Sequence, residues 1–288
     1  MPDSSYTRRW SPTGEIEYAT RTDGTRLRYL KTGSGPPLVL LHTVRTQLDH
    51  FQLVIPTVEH AFTAYAVDFP GMGWSDIEPG ASYSEPALRR AVVELVEALN
   101  LTDVTLGGES MGATVALAAA TELRGRVQAV VAFNLYDYPQ GVGRANRVAA
   151  SYIGSSRAPV IGPVVARTEN KPVLGVVLRG GLVDGSKLPG HYLSELRRVG
   201  RRRGYPRVAR EVYRNVDSMV AARAVYSRIS APVTVVYGDR DWSHPHERQA
   251  NLAVLRGARS ISLPGTGHFA ALERPDRVAE ILLDSHRG

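Results

Sequence analysis

The sequence predicts an α/β fold with a mostly parallel central sheet and helices on both faces of that sheet. Four short apolar runs have the length and composition of strands buried on both faces, at residues 38–41, 62–67, 104–107 and 127–133. Helical patterns lie between these runs, and such alternation is typical of parallel sheets. The alternation stops near residue 136 and resumes at residue 233. We therefore predict that a helical insertion interrupts one sheet domain.

A β-hairpin is predicted ahead of the buried strands. Residues 15–20 and 26–31 alternate apolar and polar side chains around Asp23-Gly24, a dipeptide that favours tight turns. Residues 47–60 then have helical spacing. Pro56 lies within this stretch, and because proline has no N–H it must kink or interrupt the predicted helix.

The later elements complete the sheet domain. Helical patterns occur at residues 85–100, 110–123, 247–255 and 275–284, and two further strands are predicted at residues 233–237 and 260–263. Residues 136–228 have many glycines, arginine-rich helical stretches and no strong strand pattern. We assign residues 1–135 and 229–288 to the sheet core and residues 136–228 to the helical insertion.

The composition is that of an ordinary globular protein. Hydrophobic residues make up 43% and charged residues 22% of the 288 residues. The chain has no cysteine, which excludes disulfides, thiolate zinc sites and a cysteine nucleophile. The first residues lack the apolar stretch of a secretory signal, and no run of about 18 apolar residues could span a membrane. We expect a cytoplasmic protein with no stable membrane insertion.

Positive charge is concentrated in the insertion. The formal net charge is +7 at pH 7, and residues 137–226 contain 16 Lys and Arg against 6 Asp and Glu. Residues 197–203, RRVGRRR, form the densest basic run. This run favours a solvated helix end, with an anionic substrate, an acidic partner or a membrane surface as alternatives. No nucleic-acid-binding motif accompanies it, so we expect no nucleic-acid partner.

The strongest functional motif is Gly108-Glu109-Ser110-Met111-Gly112, a G-x-S-x-G sequence. It follows a predicted buried strand and opens a predicted helix, which is the context of a nucleophile elbow. Flanking glycines let the tight turn close without Cβ clashes, and the helix N-terminus offers N–H groups to an oxyanion. Serine is also a common helix cap, which is the structural alternative for this residue.

A serine nucleophile requires a base, and the base requires an acid to orient it. His268 lies in the predicted loop between the last strand and the last helix, at the edge of the sheet where sites form. Asp241 follows the strand at residues 233–237, and Asp137 follows the preceding strand. We favour Asp241 as the acid, with Asp137 as the alternative. The order Ser, Asp, His is that of the elbow-type hydrolases.

Other histidines are weaker candidates. His42 ends a strand, and we expect it to shape the neighbouring loop. His244 and His246 form an H-x-H pair close to Asp241, which is weak evidence for a metal site. We predict neither a metal nor a redox cofactor.

With these motifs in place, the chain resembles the α/β-hydrolase superfamily with a helical cap over about residues 15–285. The resemblance rests on the loop after Leu41, the turn at residues 68–75, and the segments around Ser110, Asp241 and His268. It implies an α/β-hydrolase fold, in which residues 136–228 form a cap over Ser110.

The resemblance also implies an oxyanion hole made by the backbone N–H groups of Val44 and Met111. Relatives commonly have glycine where Thr43 stands, so the conformation of this loop is left open. Arg45 has two interpretations, a ligand for a substrate carboxylate or carbonyl and a surface ion pair. The candidate substrate-binding residues are Thr43, Arg45, Glu109, Tyr136 and Trp242.

Serine at the elbow restricts the chemistry within this superfamily. Epoxide hydrolases and haloalkane dehalogenases of the superfamily use aspartate, because an alkyl ester on a carboxylate can be hydrolysed. Alkylation of a serine would give a stable ether. We therefore expect a hydrolase of carboxylic esters, lactones or thioesters acting on a small ester-like substrate. The alternatives are a C–C bond hydrolase of diketones with the same triad, and a ligand-binding or lyase-type homologue without net hydrolysis. The oligomeric state is left open.

Overall fold

In a computed structural model that describes residues 5–287, eight strands form one sheet in the order β1-β2-β4-β3-β5-β6-β7-β8. The strands are β1 (Glu15–Thr20), β2 (Arg26–Gly33), β3 (Pro37–Leu41), β4 (Thr63–Val67), β5 (Val104–Glu109), β6 (Val127–Phe133), β7 (Val233–Gly238) and β8 (Arg259–Leu263). β2 runs antiparallel to β1 and β4, and β3 to β8 are parallel. The predicted mostly parallel sheet and its N-terminal hairpin are confirmed.

The first helices of the core are α1 (Thr7–Trp10), α2 (Ile55–Val58), α3 (Glu85–Ala98) and α4 (Met111–Ala120). Residues 47–60 are helical but interrupted, as the proline at position 56 predicted. A short 3₁₀ helix at Leu48–Phe51 precedes α2, which has Pro56 in its first turn. Proline is tolerated there because the first N–H groups of a helix have no partner within the helix.

Between β6 and β7 the chain forms α5 (Arg147–Arg157), α6 (Gly162–Arg167), α7 (Lys171–Arg179), α8 (Gly190–Gly200), α9 (Tyr205–Arg214) and α10 (Val216–Ala221). Short 3₁₀ turns join some of these helices, and within the described residues this segment has no strand. The core then closes with α11 (Pro245–Val254), α12 (Ala270–Glu273) and α13 (Pro275–Arg287).

Alternate residues of β3 pack on opposite faces of the sheet, as the twofold repeat of a strand requires. Val39 and Leu41 join the apolar core that contains α3 and α4, whereas Leu38 and Leu40 join the core that contains α2 and α13. The buried side chains of the insertion are continuous with the first of these cores, among them Leu174, Leu196, Val208 and Tyr213. The insertion therefore packs on the face of the sheet that carries α4.

Two arginines of the basic run fasten the insertion to the sheet domain. Arg198 lies over the Trp74 ring at 4.7 Å and donates to Glu195 at 2.9 Å. Arg202 donates to the backbone oxygens of Gly73 and Ser75. The predicted solvated helix end therefore describes only part of the basic run. Arg198 and Arg202 instead contact the sheet domain, because a guanidinium can both donate to carbonyl groups and stack on an indole.

Candidate active site

Ser110 stands at the sharp turn from β5 into α4, with φ 59° and ψ −118°, and is fully buried. The flanking glycines make this turn feasible. A Cβ on Gly108 would clash with the Gly112 backbone, and a Cβ on Gly112 would clash with the Leu41 carbonyl. The first turn of α4 is thereby seated directly on the end of β3, which brings Met111 next to the loop that follows β3.

His268 follows β8 and contacts Ser110 directly. The Ser110 hydroxyl donates to His268 Nε2 at 2.8 Å, although the two residues are 158 positions apart. His268 is fully buried, and its backbone carbonyl accepts a hydrogen bond from the Asn134 side chain at 3.0 Å. His268 therefore reaches the Ser110 hydroxyl from a loop that is anchored to the end of β6.

Asp241 lies on the other side of the imidazole. Its Oδ1 accepts from His268 Nδ1–H, and its Oδ2 accepts from the backbone N–H of Ser243 at 3.0 Å and from the Ser243 hydroxyl. Burial raises the pKa of Asp241, but the charge and hydrogen bond of His268 and the bonds from Ser243 outweigh it, so the net pKa is lowered. The carboxylate is held ionised, as a group that orients an imidazole must be.

Asp137, the alternative acid, has other partners. Its carboxylate accepts from Arg223 at 3.1 Å and from the Asn251 amide at 3.1 Å, and it is fully buried. Burial is the largest influence on the pKa of Asp137 and leaves it raised, despite the neighbouring Arg223. This geometry favours Asp241 over Asp137 as the partner of His268.

The loop after β3 is shaped by His42. His42 Nδ1–H donates to the Thr43 carbonyl at 2.7 Å, and His42 Nε2 accepts from the Phe69 N–H at 3.1 Å. The Thr46 hydroxyl also donates to the Thr43 carbonyl, at 2.8 Å. The left-handed backbone conformation falls on Arg45, with φ 60°, so the missing glycine at position 43 is accommodated elsewhere in the turn.

His42 is neutral in this arrangement. Because its Nε2 must accept from an N–H, only Nδ1 can carry a proton. Complete burial lowers the pKa of His42 to about 4, against the opposing charge of Asp68. A neutral imidazole therefore joins the loops that follow β3 and β4.

Val44 and Met111, the two predicted oxyanion donors, line one small cavity, and Met111 directly follows Ser110 in the chain. The rest of its lining is apolar or aromatic and comes mostly from α9 and α10: Tyr136, Val212, Tyr213, Val216 and Met219. The Met111 N–H is in the first turn of α4, where backbone N–H groups lack helical partners. The cavity leaves about 10 Å³ for the centre of a water-sized molecule, which is room for roughly one water.

Arg45 forms an ion pair, as one of its two interpretations predicted, but the pair is buried. Arg45 is only 3% exposed, its guanidinium pairs with Glu169 of the insertion, and it is not among the residues that line the cavity. The Arg45 Nε–Glu169 Oε2 distance is 3.1 Å, and the guanidinium lies 4.9 Å from the centre of the Tyr205 ring. The loop that carries Val44 is thus tied to the insertion by a buried ion pair.

Glu109 does not line the cavity, so its prediction as a substrate-binding residue is not supported by the geometry. Its carboxylate accepts from His50 Nε2–H and from the Ala271 N–H at 3.2 Å. Both Glu109 and His50 are fully buried. Glu109 instead joins the elbow to the start of α12. Thr43, the other candidate on this side, is fully buried and contributes its carbonyl to the hydrogen bonds of the loop after β3.

Of the two aromatic candidates, Tyr136 lines the cavity and Trp242 does not. The Trp242 indole stacks on the His268 imidazole, with ring centres 3.8 Å apart and planes 14° apart. Its Nε1–H donates to the Gly180 carbonyl of the insertion at 3.1 Å. Trp242 therefore contacts His268 and does not line the cavity.

The H-x-H pair has a structural role at the start of α11. His244 is the N-cap of this helix and exchanges capping hydrogen bonds with Glu247, and Glu247 also pairs with Arg144 of the insertion at 2.7 Å. The His244 and His246 rings stack on each other at 5.7 Å. No cluster of three or more potential metal ligands occurs within residues 5–287.

Several residues of the site have no strong sequence signal. Asn134 accepts from the Gly238 N–H at 2.8 Å, which holds the end of β7 next to the His268 loop. Glu273 accepts from the Gly267 N–H at 2.7 Å and from the Asp184 N–H of the insertion at 2.8 Å. Neither was among the predicted site residues, although Glu273 begins the Glu-Arg-Pro sequence that follows the histidine loop.

A sequence model of the alpha/beta hydrolase family matches residues 38–281, from β3 into α13. This chain belongs to the α/β hydrolase family. The match spans the Ser110 turn and the Asp241 and His268 loops together with the insertion. Within the described residues, no helix is long and apolar enough to cross a membrane.

Relatives within the α/β hydrolase family have different names. Haloalkane dehalogenase 2 of Mycobacterium tuberculosis is 24% identical over 278 residues, which cover 90% of this chain and 91% of the relative. An uncharacterized protein of the same organism is 26% identical over 274 residues, covering 90% of this chain and 77% of the relative. The solved structure of the epoxide hydrolase CorEH aligns with a TM-score of 0.81 and 22% identity, covering 95% of this chain and 99% of the other. Such identities establish a common fold and not a common reaction.

Proposed function

We propose that this α/β hydrolase is a serine hydrolase that cleaves a carboxylic ester, lactone or thioester through an acyl-enzyme on Ser110. The observation that carries the proposal is the continuous chain of hydrogen bonds from the Ser110 hydroxyl through His268 to Asp241. In acyl transfer, His268 takes the hydroxyl proton as Ser110 attacks the carbonyl carbon. The backbone N–H groups of Val44 and Met111 would stabilise the oxyanion.

The second half of the reaction uses the same groups. The protonated His268 returns its proton to the leaving alcohol, and the acyl group remains on Ser110 as an ester. A water molecule, deprotonated by His268, then attacks the carbonyl of that ester. The bond between the acyl group and the Ser110 oxygen breaks, His268 returns the proton to that oxygen, and the carboxylic acid is released. Asp241 holds the imidazole in one tautomer and stabilises the imidazolium that forms in each step.

Serine at the elbow argues against the reactions named in the relatives. Displacement of a halide, or opening of an epoxide, by Ser110 would leave an alkyl ether on the enzyme. An ether has no carbonyl for water to attack, so the enzyme would be consumed in one turnover. An acyl ester on Ser110 has such a carbonyl. The nucleophile therefore favours acyl transfer although the relatives carry dehalogenase and epoxide hydrolase names.

We further propose that residues 136–228 act as a cap whose helices α9 and α10 form the acyl pocket. The apolar lining of the cavity by Val212, Val216 and Met219 favours an uncharged acyl group. Because the cavity has room for roughly one water, any acyl group requires α9 and α10 to shift outward, and a short group requires the smallest shift.

The test is labelling with a fluorophosphonate and mapping of the adduct by peptide mass spectrometry, combined with a panel of p-nitrophenyl esters from C2 to C12. We expect an adduct on Ser110 and turnover that is highest for the short esters. Ser110→Ala is the control and should show neither. An adduct on another residue, or ester turnover that survives in Ser110→Ala, would contradict the proposal. An adduct on Ser110 without ester turnover would direct the search to C–C bond cleavage.

A further inference from the structure

The turn that follows α7 contacts the loop of His268 through its backbone. The Gly181 carbonyl accepts from the His268 N–H at 2.6 Å and from the Phe269 N–H at 3.2 Å. The neighbouring Gly180 carbonyl accepts from the Trp242 indole N–H at 3.1 Å. Two consecutive carbonyls of the insertion therefore accept hydrogen bonds from His268 and its neighbour Phe269, and from Trp242.

Trp242 contacts His268 by its face. The centres of the two rings are 3.8 Å apart, the planes differ by 14°, and Trp242 is 8% exposed. A stacked ring prevents rotation of the imidazole out of the plane in which it meets both Ser110 and Asp241. The electron-rich face of an indole also favours a positive charge on the group that it covers. Trp242 therefore suits both the orientation of His268 and the imidazolium that acyl transfer requires.

The backbone fit between the turn and the loop excludes larger residues. A Cβ on Gly181 would clash with the Phe269 ring, and a Cβ on Gly267 would lie 2.5 Å from the Gly181 carbonyl oxygen. A Cβ on Gly180 would clash with the Asn146 side chain. The turn after α7 and the His268 loop approach this closely only because both segments have glycine where they meet.

We propose that Trp242 and the Gly180-Gly181 turn are positioning residues for His268, so that the insertion, besides forming the pocket, holds the base in place. This inference rests on the proposed function. Because these residues contact His268 and do not line the cavity next to Met111, we expect them to act on the chemical step. Displacement of the turn would release the His268 backbone and the Trp242 indole together.

The first test compares Trp242→Leu and Trp242→Phe with Trp74→Leu, using kcat and KM for a short p-nitrophenyl ester. Trp74 is a matched control, because it is 9% exposed and its indole N–H also bonds the insertion, at Glu195, without contact to the triad. We expect Trp242→Leu to lower kcat by roughly 10- to 100-fold with KM within about twofold, since misplacement of a catalytic group acts on kcat. Trp242→Phe, which keeps an aromatic face, should recover part of the loss.

Trp74→Leu should leave kcat within a few-fold of the wild type even if it lowers the melting temperature. Equal losses of kcat in Trp74→Leu and Trp242→Leu would reduce Trp242 to a packing residue and overturn the inference. So would a Trp242→Leu variant with wild-type kcat.

The second test addresses the turn. Gly181→Ala should lower kcat because its methyl group pushes the turn away from Phe269. Gly154→Ala is the control, since a Cβ at this position of α5 meets no atom within 4 Å. Wild-type kcat in Gly181→Ala would contradict the role of the turn, as would an equal loss in both variants.

An NMR measurement separates this inference from the proposed function. Stacking on the indole shifts the carbon-bound imidazole protons of His268 upfield, whatever reaction the enzyme performs. We expect Trp242→Leu and Gly181→Ala to move these signals towards ordinary positions and Trp74→Leu to leave them in place. If the wild type has these shifts but no ester turnover, the proposed esterase activity is rejected and the positioning of His268 by Trp242 is retained. If the wild type has ester turnover but unshifted His268 signals, the esterase activity is retained and the positioning role is rejected.

Discussion

The Ser110 hydroxyl and the His268 imidazole, 158 positions apart in the chain, are joined by a hydrogen bond of 2.8 Å at the end of the parallel sheet. Both residues are held at the end of β6: the Ser110 N–H donates to the Phe133 carbonyl at 2.8 Å, and the Asn134 amide donates to the Gly267 carbonyl of the His268 loop at 3.3 Å. The Ser110–His268 distance is short enough for direct proton transfer. Substitutions at this pair and around it should therefore separate effects on catalysis from effects on stability.

Ser110→Ala and Ser110→Gly should both lose ester turnover by at least about 10³-fold, because each lacks the nucleophile. They should differ in stability. Ser110 has a φ of 59°, where a side chain is strained, and glycine relieves that strain. We expect Ser110→Gly to be more stable than Ser110→Ala by about 1 kcal/mol in urea unfolding. Equal midpoints for the two variants would show that the elbow is not strained.

Asp241→Asn should lower activity, whereas Asp137→Asn should lower stability. Asparagine at 241 no longer fixes the tautomer of His268, and kcat should fall by roughly 10³- to 10⁴-fold. Asparagine at 137 weakens a buried ion pair with Arg223, so urea unfolding should show lower stability with kcat within a few-fold of the wild type. A larger loss of kcat at position 137 would identify Asp137 as the acid.

The buried pair of Arg45 and Glu169 should behave as a unit. Arg45→Met or Glu169→Leu alone leaves one uncompensated buried charge, and we expect each to cost roughly 3 kcal/mol or more of unfolding free energy. The double variant removes both charges and should recover much of that loss. Urea unfolding of the four proteins gives the interaction energy. Additive losses would mean that the two side chains do not interact.

His42 should make the protein less stable in mild acid. Its pKa is lowered to about 4 in the folded protein by burial, against about 6.5 when unfolded, so the unfolded chain binds more protons between these values. Stability is fully present above about pH 6.5 and is lost as the pH falls towards 4, by roughly 3 kcal/mol at most.

The control for His42 is His42→Gln, measured by urea unfolding at pH 7.5 and pH 5. Glu85, whose pKa is raised by burial to about 7, contributes a dependence of the opposite sign in both proteins. The difference between wild type and variant therefore isolates His42. We expect the variant to lose less stability on acidification; parallel behaviour of the two proteins would contradict the neutral imidazole.

Met219→Ala should enlarge the cavity next to Met111 and move the preferred p-nitrophenyl ester to a longer acyl chain. Truncation of a buried methionine also costs roughly 2–5 kcal/mol of stability. Leu174→Ala is the control, since Leu174 is fully buried in the same insertion but does not line the cavity. An equal change of chain-length preference in both variants would show that general loosening, and not pocket volume, sets the preference.

Much of the fold was predictable because its signals are local. The apolar run at β3, the hairpin around Asp23-Gly24 and the glycines of the elbow each constrain a few neighbouring residues. The alternation of strands and helices then predicts a parallel sheet, and the ends of parallel strands meet at one edge. Ser110, Asp241 and His268 were therefore predicted to lie together from the elements that they follow. The helical spacing of residues 47–60 is interrupted near Pro56, as predicted, because proline lacks an N–H and is tolerated only in the first turn of a helix.

What only the tertiary structure decided is the direction in which side chains point and which distant backbone they meet. Glu109 and Ser110 are neighbours, yet the Glu109 carboxylate contacts His50 and the Ser110 hydroxyl contacts His268, because Glu109 ends β5 whereas Ser110 forms the turn into α4. The partners of Arg45 and Trp242 lie 124 and 62 positions away, at Glu169 and Gly180. Sequence spacing cannot predict such contacts. They arise when the insertion packs against the sheet, and no local preference of the chain determines them.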